Sequence, residues 1–208
     1  MNAPPSTVIS VDYPQLVLLA WHGRLELMDL LRAGDALIAQ GRAPLAAVLY
    51  RTWVQRSDTP HRHVIHFNLG VLLFAEGDLA GARDAYTQAI ALAPSFLQPR
   101  FNLGLTYERL GDSDAAVAQW LWIDAHTSAD VPDQRPFLVM ALNNLGRHLE
   151  DRGRYAEALA FLTRSLRIDP RQPEAVHHWV FLRAKQCVWP VYEPLPGLDE
   201  ATMRAQTS

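Results

Sequence analysis

The chain contains a single cysteine, Cys187, so no disulfide can close within it, and a reducing setting, the cytoplasm, is the expectation. It has no run of lysines or arginines. A net charge of -3 and a pI near 6.2 supply none of the positive field that nucleic acid or an anionic membrane surface requires. The apolar run nearest the N-terminus, Leu16 to Trp21, is far shorter than the roughly 20 residues that span a bilayer, and no basic n-region precedes it. Nucleophile-elbow, phosphate-loop and dinucleotide motifs are all missing, so no catalytic residue and no cofactor is expected. The histidines His61, His63, His66, His177 and His178 lack the facing i, i+4 spacing of a helical zinc site, and no metal is expected either. With no patterned base beside it, Cys187 reads as a small buried side chain rather than a nucleophile. The remaining composition, 49% hydrophobic and 20% charged, is that of a folded protein rather than a disordered one.

What is present is a spacing. Counting 34 residues from His63 to Phe96 puts Leu69 and Gly70 at positions 7 and 8, Leu73 at 11, Gly77 at 15, Ala82 at 20, Tyr86 at 24, Ala89 at 27 and Pro94 at 32. Positions 7, 8 and 11 fall on one stripe of a first helix, and 20, 24 and 27 on one stripe of a second. Gly70 and Ala82 permit close helix approach, Gly77 suits a left-handed helix end, Asp78 suits the cap of the next helix, and Pro94 stops it. This pattern at this period resembles the tetratricopeptide repeat. The resemblance implies an all-α fold, a right-handed superhelical solenoid of about four helix pairs with capping helices.

The same frame organises the rest of the chain. Residues 1–26 read as a flexible leader and a capping helix at Pro14 to His22; residues 27–60, 63–96, 97–130 and 139–172 read as repeats; residues 131–138 read as a polar surface-loop insertion. Residues 173–208 read as a C-terminal capping helix and tail. The glycines at position 8 are Gly34, Gly70, Gly104 and Gly146. The last helical stretch is apolar nearly all round, which predicts burial on several sides. Trp179, Phe181, Leu182 and Trp189 are therefore candidate interface residues, facing a second copy of the chain or a further domain.

Stacked helix pairs line an inner groove with their first helices, and that groove is the expected site for a protein or peptide. Position 6 holds Asn68, Asn102 and Asn144 in successive repeats. An asparagine amide both donates and accepts, so a ladder of them can grip a peptide backbone without reading its side chains. The other reading is that these amides bond within the array. Phe67, Val71, Phe74, Phe101 and Leu105 face the same groove, followed by Glu108, Asn143, Arg147 and Glu150. Arg147 is its principal basic residue, too little for a carboxylate clamp.

After the repeats comes Cys187-Val188-Trp189-Pro190-Val191-Tyr192, which resembles the Cys-x-Trp-x-x-Tyr junction of SPINDLY-like protein O-GlcNAc transferases. Val188 departs from the acidic residue of the animal members. The resemblance implies that Asn68, Asn102 and Asn144 recruit protein substrates for a UDP-sugar-dependent catalytic half, yet Tyr192 is followed by only 208 − 192 = 16 residues. No catalytic residue carries over. The alternative is a scaffold that assembles with another protein or with itself.

Overall fold

The computed structural model describes residues 12–207; the leader expected at the N-terminus lies largely outside them. Every regular element among the described residues is helical: α1 Tyr13–Trp21, α2 Leu27–Ala39, α3 Ala43–Arg56, α4 Arg62–Glu76, α5 Leu79–Leu92, α6 Leu97–Arg109, α7 Ser113–His126, α8 Arg135–Asp151, α9 Tyr155–Ile168, α10 Pro173–Lys185 and α11 Glu200–Thr207. None is long and apolar enough to cross a membrane. The chain divides into two compact units, Met1–Asn102 and Leu103–Ser208.

Local signals explain the helix ends. The carboxylate of Asp78 accepts from Gly81 N at 2.9 Å, and that of Asp112 from Ala115 N at 3.0 Å, each meeting an amide that has no partner inside its helix. Gly77 ends α4 at φ +83°, in the left-handed region. At the corresponding point after α10 stands Cys187, at φ +54°.

In the first unit α2 packs on α3, α3 on α4, α4 on α5, and α1 lies against α3. Trp53 is buried and donates from Nε1 to Leu25 O at 2.7 Å, fastening α3 to the turn before α2. The helices of a pair meet at a recurrent seat. A Cβ built on Gly70 would lie 2.6 Å from the ring of Tyr86, and one on Gly34 would collide with Tyr50. Position 8 is thus the floor on which the large residue at position 24 lies.

The second unit repeats the device, with Trp120 over Gly104 and Leu162 over Gly146. Its helices pack in order from α7 to α11, and two arginines reach back to α7, Arg152 at the C-cap of α8 to Asp114 at 3.0 Å and Arg164 of α9 by two bonds to Asp124. Two expectations change here. The insertion at residues 131–138 is a loop only in part, because α8 begins at Arg135 and buries Leu138 to cover the start of its apolar stripe. The apolar girdle of α10 does have a neighbour, but it is the chain's own tail: Leu198 and Met203 join Val176, Trp179, Val180 and Leu182 in one core.

Arg183 ties that tail down. It is buried, lies over the Trp179 ring, and donates from Nε and Nη2 to Pro190 O at 3.2 and 2.7 Å, while Nη2 pairs with Glu193 at 2.6 Å. Replacing it strands the Pro190 carbonyl, so Arg183→Ala should lower stability by about 1–3 kcal/mol. It should also open residues 188–207 to protease before the repeats unfold. Digestion at an unchanged rate would show that the tail is held otherwise.

The glycine seat makes its own prediction. Gly70→Ala gains about 1 kcal/mol of helix propensity but overpacks Tyr86 at a cost of about 1–3 kcal/mol. A net loss is expected in chemical denaturation, and combining it with Tyr86→Leu should shrink the cost of the methyl. A methyl equally costly in both backgrounds would place the strain elsewhere.

Candidate functional site

The inner-face residues of the first unit gather around α4 and the start of α6. Phe67 is half-buried, with its ring 5.2 Å from that of Phe96 and 6.1 Å from that of Tyr86. Phe74 and Phe101 are likewise half-buried, whereas Val71 is 40% exposed. The surface is apolar with one polar rung. Asn68 is half-buried and makes no side-chain hydrogen bond among the described residues, so its amide is open to a ligand. Asn102 differs: its Nδ2 donates to the hydroxyl of Tyr86 at 3.3 Å. Burial holds that phenol neutral by pushing its pKa up to about 12, against the lowering effect of the Asn102 bond.

In the second unit the face is polar. Leu105 is half-buried, and beyond it Arg147 donates to Glu108 at 2.6 Å and to Asn144 Oδ1 at 3.2 Å. Arg147 is therefore not a free cation waiting for a carboxylate, and Asn144 retains its two amide donors. Asn143 donates to Gln172 at 2.6 Å, and Gln172 in turn donates to Asp169 O at 2.6 Å. Gln172 was not legible as a site residue, since no period marks it.

The candidate interface residues separate. Trp179 and Leu182 are buried in the chain's own core, with Trp179 Nε1 donating to Thr163 at 2.8 Å, so neither faces a partner. Phe181 is 46% and Trp189 75% exposed. Cys187 is exposed, not buried: the left-handed turn after α10 carries it out of the core.

Two of the histidines, His63 and His178, have local polar partners. His63 lies edge-on to Phe96 with Nδ1 3.0 Å from Pro60 O, and His178 Nδ1 is 2.8 Å from Glu150 Oε2. Among the described residues no three His, Cys, Asp or Glu side chains converge as metal ligands would. His66 and His148 are buried with Nε2 unpartnered, and burial lowers the pKa of each, with Arg62 adding to it at His66 and Arg152 at His148.

Burial disfavours the charged form of both histidines in the fold, while in the unfolded chain they take up protons near the ordinary value of about 6.5. Their contribution is complete above that pH and is lost as pH falls toward the lower folded pKa values. Denaturant midpoints should decline between pH 7 and pH 5, and His66→Leu should flatten part of the decline. An unchanged profile in that variant would remove His66 from the cause.

Two family models, both described as Tetratricopeptide repeat, match the sequence, one over residues 31–96 and 67–130 and the other over residues 139–172. Solved structures share the fold. MamA from Desulfovibrio magneticus RS-1 superposes with a TM-score of 0.62 at 13% identity, covering 94% of this chain and 92% of that one. PilF of Pseudomonas aeruginosa gives 0.63 at 16% identity, over 95% and 77%. YrrB, described as a TPR protein with an unusual peptide-binding site, gives 0.64 at 13%, over 95% and 91%. No curated protein matches.

Proposed function

We propose, from the premise that the chain belongs to the tetratricopeptide repeat family, that it is a non-catalytic binding module which holds extended protein segments on its inner helix faces. The observation that carries this reading is Asn68, an amide with no side-chain partner set among Phe67, Val71 and Phe74. A polar group so placed meets a peptide bond, and the apolar residues around it take side chains. YrrB, by its description, binds peptide at its own site, which supports the reading by likeness of fold alone.

Adaptor or scaffold work follows, with the partner a protein. Phe181 and Trp189 are the exposed apolar residues at the C-terminal end through which assembly, with a second copy or another subunit, would run. Recruiting substrates for a SPINDLY-like transferase is the narrower form of the reading. It rests on Cys187 to Tyr192 alone, and the repeat proteins above add nothing to it. The setting we propose is the cytoplasm, where the lone thiol of Cys187 would stay reduced.

The test uses peptides selected from a displayed random library on the whole chain. Asn68→Ala should weaken such a peptide by about 1 kcal/mol, one net hydrogen bond, with thermal stability unchanged. Asn102→Ala should lower stability by a similar amount, about 1 kcal/mol, because the buried Tyr86 hydroxyl loses its partner. Titration calorimetry that finds Asn68→Ala binding as well as the parent chain would sink the ladder.

A further inference from the structure

Counting 34 on from Val139 brings Pro173 to position 1 of a further unit (139 + 34 = 173), so α10 stands in phase as a fifth inner helix. Trp179 then takes position 7 and Cys187 position 15, the places of leucine and turn glycine in the other units. His178 falls at position 6, on the rung of Asn68, Asn102 and Asn144, and Phe181 falls at position 9, that of Val71. The exposure of Phe181 thus matches that of Val71, as both hold one position of an inner face.

Between α8 and α10 lies a pocket of about 160 Å³. Its lining includes Asn143, Asn144, Leu162, Glu174 and His178. Hydrogen-bonding capacity there is uneven. Arg147 is engaged by Glu108 and Asn144, and His178 by Glu150. Asn143, which lines the pocket, gives its amide to Gln172, and its Oδ1 is buried without a partner. The exposed carboxylate of Glu174 has no hydrogen bond or ion pair among the described residues. What is unmet is acceptor capacity. Glu174 is the carboxylate in the lining, whereas Glu108 and Glu150 lie behind it, taken up by Arg147 and His178.

Resting on the peptide-binding reading, we propose that this pocket takes a cationic side chain of the bound segment, lysine or arginine. Its charged head pairs with Glu174 and donates to Asn143 Oδ1. Its methylenes lie over Leu162 and Ala175, as long basic side chains do on apolar surface. Charge complementarity sets the preference, since an acidic side chain would meet the unpaired carboxylate of Glu174.

Panning a random twelve-residue library displayed on phage against the 208-residue chain tests this. Parallel panning uses Glu174→Gln, and Asp133→Asn as a control for removing charge at a distance. A lysine or arginine should be enriched at one place in the selected peptides on the parent chain and on Asp133→Asn, and the enrichment should disappear on Glu174→Gln. Replacing that residue by norleucine should weaken binding at least about fivefold to the parent chain and hardly at all to Glu174→Gln. An equal melting temperature for Glu174→Gln would show the fold intact. Peptides selected with no preferred basic residue, or a preference that survives Glu174→Gln, would overturn the pocket and leave the broader binding reading standing. Selection of no peptide at all would overturn both.

Discussion

The fold depends on one steric constraint, a glycine floor under a large side chain. In each of the four complete helix pairs, position 8 of the first helix carries no side chain, and Tyr50, Tyr86, Trp120 or Leu162 from the second helix lies over it. The contact brings two backbones together and buries a large side chain, aromatic in three of the four pairs, in one step. Everything further out follows from where the first helix is thereby held, including which residues look inward.

The end of the array shows what happens when the floor is absent. In α10 the corresponding residue is Val180, and no tightly turned second helix follows it. Residues 187–199 run irregularly instead, and α11 arrives late to bring Met203 into the core. The buried guanidinium of Arg183 does the work that the glycine seat does elsewhere, holding the chain by its Pro190 carbonyl. A polar fastening has replaced a steric one.

Most of this architecture was legible because a 34-residue period leaves its mark on small residues, turns and caps at once. Gly70, Gly77, Asp78 and Pro94 each signal a different local event, and their agreement is what made the reading firm. The helix α10 was legible only as a helix. With Val180 and Arg183 at the places of glycine and leucine, its phase was hidden although Trp179 keeps it. The interface expectation for Trp179 and Leu182 failed for a related reason: periodicity tells which residues share a face, but not that a tail with Leu198 and Met203 returns to cover it. The asparagine rungs show a third limit. Asn68 and Asn102 occupy the same repeat position, yet only Asn102 donates to the tyrosine of the preceding unit.

That last bond bears on how such a chain can be cut and reassembled. Tyr86 belongs to one repeat by sequence and Asn102 to the next, so the unit of inheritance runs across the boundary that the 34-residue count draws. A repeat transplanted with its edges at Pro94 would carry the phenol away from its amide, leaving Asn102 without the Tyr86 hydroxyl in the donor array and bringing a buried hydroxyl without its Asn102 donor into the recipient. Shifting the cut to fall within α6, beyond Asn102, keeps the two together. The repeats of this protein are interchangeable in outline but spliced to one another through their hydrogen bonds.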